Sequence, residues 1–485
     1  MKSLAELLPL LPVVVLGLTA VALMISTAIR RSRGGAFALT LLGLAGAFAS
    51  LVAIRSYVPA SVSTLFRVDG YALFYVGLLL VTAAFVTLLS KRFLEDLGRA
   101  SGPPLPAEEF YMLLVLATLG TAVLVTSGHF ASLFLGLELL SISLYGMIAY
   151  NRRGPRAIEA GIKYLILAAV SSAFLLFGVA LLYAEGGALA LPIDARGTIS
   201  TGQPLLLAGL ALLLVGFGFK LAVVPFHLWT PDVYQGAPSP VAAFIATASK
   251  GAAMAVLFRF APLFDEGALR TFLAVIAGAS ILGGNVLALR QRNLKRLLAY
   301  SSIAHLGYLL VAFLASGDAA ARAVTFYLAA YTITTLGAFG VIGQAAGLRG
   351  WASTEGAAEE IEGYRGFGRR HPWLAGTLAL MMLSLAGIPL TAGFVGKYLV
   401  LLAGIGSELW GLVALLALGS VVGVAYYLRV LATMYLRDAP MQGPARPQDL
   451  SGTIALAILA LLLIGLGAFP EPLTRLVEWS CTGVF

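Results

Sequence analysis

Charge is scarce in this chain. Only 11% of its 485 residues are Asp, Glu, Lys or Arg, while 60% are hydrophobic, and the mean hydropathy is +0.93. A soluble protein of this length could not hide so much apolar surface, so the composition excludes a water-soluble globule and calls for an all-α polytopic membrane protein. Cysteine is nearly absent: Cys481 stands alone, which excludes an intrachain disulfide. The four histidines, His129, His227, His305 and His371, are scattered without metal-ligand spacing, so no metal site is expected. Neither G-x-x-x-x-G-K-[ST] nor a helix-opening G-x-G-x-x-G occurs, so no nucleotide or redox cofactor site is expected either. Energy for any work must come from another subunit or from an ion gradient.

What the chain has in abundance is apolar runs of spanning length. They fall near 4–29, 36–54, 70–90, 110–127, 130–150, 160–184, 204–224, 239–260, 269–289, 297–315, 322–347, 372–403, 407–436 and 452–470. Each is bounded by charges, Gly or Pro, as helix ends in a bilayer are. The sequence thus predicts about 14 transmembrane helices, numbered here in chain order. The first run, followed by Arg30 and Arg31, is long enough to span, so it reads as an anchored helix rather than a cleaved signal. Of the 32 Lys and Arg, 19 lie in loops after odd-numbered helices and 8 on the opposite side. The positive-inside rule therefore puts the former in the cytoplasm and both termini outside. This asymmetry explains the net charge of +9 without nucleic acid. The longest polar stretch, 348–370, reads as a solvated cytoplasmic linker.

The remaining five cations lie within the apolar runs: Lys163, Lys220, Lys250, Lys397 and Arg429. Glu138 lies within another. A charge at the centre of a bilayer helix costs about 2.5–3.5 kcal/mol, so four lysines oppose insertion by roughly 10 kcal/mol. Packing alone does not account for that cost. Lysine is also the basic group that loses its proton most readily when desolvated. The pattern points to a proton path.

Two of the runs are broken. Helix 7 reads GFGFKLAVVPFHLWTPDVYQGAPSP, with Pro225 five residues after Lys220; helix 12 reads LMMLSLAGIPLTAGFVGKYLV, with Gly387 and Pro389 ahead of Lys397. Proline removes a backbone donor and clashes with the carbonyl four residues earlier, so the carbonyls of Leu221 and Leu385 should be freed. Non-helical backbone at membrane depth persists only where protein or water satisfies it. Glu138 has no cation one turn away on its own helix, so it should pair across helices, with Lys220 the candidate. Lys163 has Glu159 four residues earlier, the favourable order for a local ion pair. Lys250 has no charged neighbour within a turn and reads as a relay. His227 and His305 are additional path candidates, because histidine titrates near neutral pH, although a lone helix histidine serves equally well as a packing residue. Arg429 cannot give up its proton and reads as a fixed structural charge. Ser239, Thr247 and Ser249 along helix 8 either hold water or bond backbone carbonyls; the sequence leaves both open.

At FKLAVVPFHLWTPDVYQGAPSPVAAFIATASK (219–250) the chain closely resembles the antiporter-like membrane subunits of complex I, the proton-pumping NADH:quinone oxidoreductase. LSLAGIPLTAGFVGK (383–397) and LKRLLAYSSIAHLGY (294–308) match the same family independently. The resemblance covers roughly 109–437. The Pro231-Asp232-Val233-Tyr234-Gln235-Gly236 loop, and only a short tail after helix 14, resemble the bacterial N-type branch rather than its larger sisters.

The resemblance implies two inverted five-helix repeats, helices 4–8 (109–260) and 9–13 (269–437), with helices 7 and 12 broken. An N-terminal three-helix segment (1–100) would flank them on one side, and a C-terminal helix with a short tail (450–485) on the other. It implies a proton channel on Glu138, Lys220, Lys250 and Lys397: a modulating Glu138–Lys220 pair, a central relay at Lys250 and an exit group at Lys397. Lys163 matches a helix 6 lysine of the family. FMN, iron–sulfur clusters and quinone would belong to partner subunits, with sister antiporter-like subunits as neighbours in a bacterial inner membrane. Two rival readings share the fold, a multisubunit cation/proton antiporter and a membrane-bound hydrogenase arm. A third is a scaffold whose lysines are neutralised structurally.

Overall fold

The computed structural model describes residues 4–99, 106–191, 204–264, 267–348, 359–436 and 449–482. Among them, 13 helices are long and apolar enough to cross a bilayer, and two shorter ones, Pro372–Ala386 and Ala392–Gly406, together form helix 12. Helices 1 to 6 are Leu11–Ile29, Arg33–Ala53, Gly70–Arg99, Ala107–Val125, Phe130–Ile148 and Pro155–Gly186. Helix 7 is Pro204–Leu221, followed after its break by the short helix Trp229–Gly236. Helices 8 to 11 are Ser239–Phe258, Gly267–Leu289, Leu294–Ala315 and Gly317–Leu348; helices 13 and 14 are Trp410–Tyr435 and Leu450–Ala468. The order and number read from the apolar runs hold, because only a helix satisfies its own backbone within lipid. Where the chain meets water, caps fix the starts: Ser32, Asn293 and Asp449 each accept from the N–H three residues on, and Pro155 and Pro372 open helix 6 and the first half of helix 12.

Burial is graded across the bundle. Helix 8 is buried along its whole membrane window and helices 10 and 11 almost so, whereas helices 1, 2, 6, 13 and 14 turn most of theirs outward. A polar side chain on helix 8, 10 or 11 therefore meets protein instead of lipid. Small residues allow this closeness. A Cβ at Gly136 would stand 2.6 Å from the backbone N of Leu124, and one at Gly284 would stand 2.6 Å from that of Ala304.

Three features depart from the sequence reading. A short hairpin, β1 (Ala60–Val62) with β2 (Phe66–Val68), joins helices 2 and 3; three-residue strands are too short to show a period. Helix 14 is followed by a second helix, Glu471–Cys481, which buries Val477, Ser480 and Cys481 where only a short tail was expected. The polar stretch is not wholly a solvated linker: Glu359 pairs with buried Lys295 at 2.6 Å, and Ile361 N donates to Arg292 O at 2.8 Å. That counter-charge offsets the cost of burying the ammonium. The segment 349–358, the limits expected at 100, 437 and 485, and the loop cations Lys2, Arg196, Arg349, Arg437 and Arg446 lie outside the described residues.

Candidate functional site

Lys220 sits in the last turn of helix 7 before its break and is 2% exposed. Its Nζ donates to Ser141 Oγ at 2.9 Å on helix 5 and to Tyr164 Oη at 3.2 Å on helix 6. Glu138, half-buried and one turn before Ser141, accepts from Ser172 Oγ of helix 6. The direct Glu138–Lys220 ion pair expected from the sequence is therefore not formed in this structure. Hydroxyls satisfy each charge in place of the other. Beside Lys220 lies a cavity of about 10 Å³ lined also by Ser141, Ser171 and Ser172, room for about one water.

The break after Lys220 differs in detail from the expectation. The chain leaves the helix at Ala222 (φ +59), ahead of Pro225. The carbonyl of Phe219, rather than that of Leu221, takes up the side-chain donor, accepting from Trp229 Nε1 at 3.1 Å. Val224 N turns to Ser280 Oγ at 2.9 Å.

Lys250 follows a single π-helical turn, Ile245–Ser249, inside helix 8. Such turns concentrate at functional sites. Its Nζ, buried to 1% exposure, donates to Ser302 Oγ of helix 10 at 2.7 Å and lies 5.5 Å from the centre of the Tyr234 ring. Of the helix 8 hydroxyls left open by the sequence, Thr247 bonds the Ala243 carbonyl at 2.6 Å. Among the described residues Ser249 Oγ is buried without a protein partner, as are Thr230 Oγ1 and His227 Nδ1 near the helix 7 break.

His305, four residues after Ser301 on helix 10, bonds Tyr327 Oη of helix 11 through Nδ1 at 2.6 Å and Tyr427 Oη of helix 13 through Nε2 at 3.1 Å. Tyr427 also bonds Ser301. Polar groups thus run from Lys250 and Ser302 to the neighbouring Ser301, and on through Tyr427 to His305. Tyr327 in turn packs on Gly396, where a Cβ would stand 2.6 Å from its ring, next to Lys397.

Lys397 lies in the second half of helix 12 and reaches back across the break. Its Nζ donates to the carbonyls of Leu385 at 2.8 Å and Ala386 at 3.0 Å, so the freed Leu385 carbonyl expected from Pro389 is present and takes a cation. The amides of Gly387 and Ile388 serve Leu383 and Ser384 instead, which leaves the last two carbonyls of the half-helix to the lysine. The C-terminal end of a helix carries partial negative charge and suits an ammonium.

The remaining candidates are placed differently. Lys163 is not deep: its side chain is 42% exposed, and it pairs with Glu159 at 2.6 Å, as expected, and with Asp232 at 2.7 Å, which Arg296 also holds at 2.7 Å. Arg429 is exposed and caps helix 9 through the carbonyls of Leu289 (2.7 Å) and Gln291 (2.6 Å), a fixed structural role. The sequence reading missed Ser141, Ser172, Ser301, Ser302, Tyr164 and Tyr427. One signal was available: Ser141 lies three residues after Glu138, and Ser301 and Ser302 lie four and three before His305, one helical turn in each case.

A family model described as NADH:quinone oxidoreductase/Mrp antiporter, TM matches residues 127–423. The chain is 47% identical over 481 residues to a protein of Ectopseudomonas mendocina (strain ymp) named NADH-quinone oxidoreductase subunit N, covering 98% of this chain and 96% of the relative. Among solved structures, a chain of respiratory complex I from Thermus thermophilus with bound aureothin superposes with a TM-score of 0.81 at 35% identity, over 96% of this chain and 99% of that one. A chain of the Mrp complex from Dietzia sp. DQ12-45-1b shares the fold, with a TM-score of 0.81 at 18% identity over 100% of this chain and 98% of that one. With a matched span that takes in both broken helices and Lys220, Lys250 and Lys397, this chain belongs to the NADH:quinone oxidoreductase/Mrp antiporter membrane family.

Proposed function

We propose that the chain is a proton-translocating membrane subunit of a respiratory NADH:quinone oxidoreductase. One observation carries the reading: Lys220, Lys250 and Lys397 are all buried, and their ammonium groups rest on hydroxyls and backbone carbonyls, with no carboxylate bound directly among the described residues. A static structural pair would neutralise a buried charge with its opposite. A group held by hydroxyls is instead within reach of donors and acceptors that can also carry a proton. The sequence likeness to subunit N favours this activity over cation exchange, for which the Mrp likeness supplies the fold alone.

In this reading the energy comes from electron transfer between NADH and quinone in partner subunits, which also hold FMN and the iron–sulfur clusters. Glu138, one turn from Ser141, sets the field at Lys220; a change of its charge or position releases or recruits the Lys220 proton. Lys250 is the central relay. His305, between Tyr427 and Tyr327, links its neighbourhood to that of Lys397, the exit group. His227 stands beside the helix 7 break, and Lys163 with Asp232 and Arg296 forms a charged cluster near one end of the path. Gly120 and Gly136 bring helices 4 and 5 into close contact, and Gly284 and Gly307 do the same for helices 9 and 10, against Ala304 and Ile281, which supports two repeats, 109–260 and 269–437. The membrane is a bacterial inner membrane, with both termini on its outer face.

The test is NADH-driven acidification of inverted vesicles beside NADH-to-quinone electron transfer. Lys220→Ala and Lys250→Ala should each lose acidification at normal levels of assembled complex. Normal pumping by fully assembled mutants would sink the reading.

A further inference from the structure

An apolar groove opens on the outer surface of the bundle, away from the lysine row. It is walled by helices 2, 3, 11 and 14 and the C-terminal helix, through residues such as Phe48, Leu78, Val81, Ile333, Leu462 and Leu476, and it holds about 480 Å³. Along helix 3 it runs from Leu73 to Phe85, about 18 Å at 1.5 Å per residue. That is close to one leaflet, since the whole hydrocarbon core is about 30 Å thick. A partner's transmembrane helix would need a groove through both leaflets. A groove about one leaflet long suits an acyl chain.

The membrane-surface end of the groove carries a cation. Arg55 lines it, and its guanidinium lies 4.7 Å from the ring centre of Trp479 on the C-terminal helix. Among the described residues Arg55 has no carboxylate and no hydrogen-bond acceptor, so its donors are free for an anion. Arginine and tryptophan are the residue types that anchor at the headgroup level, and a guanidinium binds phosphate through paired N–H donors.

From this combination we propose that the groove is a binding site for an anionic phospholipid, with one acyl chain in the groove and the phosphate on Arg55. The site uses none of the proton-path residues. It would seat the C-terminal helix against helices 2 and 3.

The probe is phosphatidylglycerol with a diazirine in its acyl chain, added to the intact membrane complex in which the chain is purified. Phosphatidylcholine carrying the same group is the control, and labelled peptides are mapped by mass spectrometry. Phosphatidylglycerol should label 73–85 and 459–466 about fivefold more than the control, the ratio that about 1 kcal/mol per surface cation corresponds to. Arg55→Gln should reduce it to the control level. Gly77→Leu, whose Cβ meets Leu51 and Phe48 at an ordinary 3.8 Å, should fill the groove and abolish both signals. Assembly of each variant is checked on native gels, and either variant alone decides the outcome. Equal labelling by both lipids would overturn the assignment to an anionic lipid. Absence of labelling in the wild-type complex would mean that a partner subunit covers the groove, and labelling unchanged by Gly77→Leu would place the lipid elsewhere.

Discussion

Each of the three buried lysines is held differently. Lys220 rests on a serine and a tyrosine, Lys250 on one serine, and Lys397 on two carbonyls at a helix end. The lysines were legible in the sequence because a charge in an apolar run is costly and therefore conspicuous. Their partners were not, since a serine or threonine in a membrane helix usually bonds its own backbone, as Thr247 and Ser143 do here, and tyrosine is common in such helices without marking a site. Glu138 shows the limit of pairing by charge alone: opposite charges on neighbouring helices predict an ion pair, but Ser141 and Ser172 stand close enough to intercept both. Tyr427 joins Ser301 to His305, so Tyr427→Phe tests the link at this scale. The ring and its packing stay, and the lost neutral hydrogen bonds cost about 1 kcal/mol each in stability. Acidification should fall several-fold while the complex assembles normally; an unchanged proton-to-electron ratio would remove Tyr427 from the path.

Proline marked both helix breaks in the sequence, but their geometry depended on neighbours. In helix 12, Gly387 (φ +83) ends the first half, and Gly393 brings the second half against it. A Cβ at Gly393 would stand 2.1 Å from the Ser384 carbonyl, whose own hydroxyl accepts from Gly393 N at 3.2 Å. Gly393→Ala must therefore push the halves apart, beneath the carbonyls that hold Lys397. Overpacking of this kind costs about 1–3 kcal/mol. The expected outcome is a lower thermal midpoint of the purified complex together with reduced acidification; if both stay at wild-type values, the close contact at 393 is dispensable. The π turn before Lys250 left no trace in the sequence, because IATAS has no proline or glycine to announce it. The helix Glu471–Cys481 was legible in principle, since Leu473, Leu476, Val477 and Ser480 recur at helical spacing. At eleven residues it is too short to span, so run length does not reveal it.

At the scale of the whole chain, the gradient from lipid-facing helices 1, 2, 6, 13 and 14 to the enclosed helices 8, 10 and 11 decides where a proton path can lie. It also explains why Lys163 and Arg429, on outer helices, turned to surface partners, while Lys250 and His305 on inner ones did not. Loop charge predicts the orientation, and thiol labelling tests it. Cys481 is the single cysteine, so a Cys481→Ser background leaves this chain without a thiol. In it, a membrane-impermeant maleimide should label Arg31→Cys only in inverted vesicles and Glu408→Cys only in right-side-out ones. The opposite pattern would reverse the direction in which the lysine row is read.

The sequence by itself determined that the chain crosses a membrane about 14 times, where two helices break and which lysines are too costly to be incidental. All of these rest on local quantities: apolar run length, proline and the price of a buried charge. Only the tertiary structure decided that Lys220 meets Ser141 and Tyr164 before Glu138, that Lys397 closes its own broken helix, and that Tyr327 and Tyr427 tie His305 to two further helices. Those contacts depend on how closely helices approach at their glycines and how each is rotated about its axis. In lipid, where every face of such a helix is apolar, periodicity does not report that rotation.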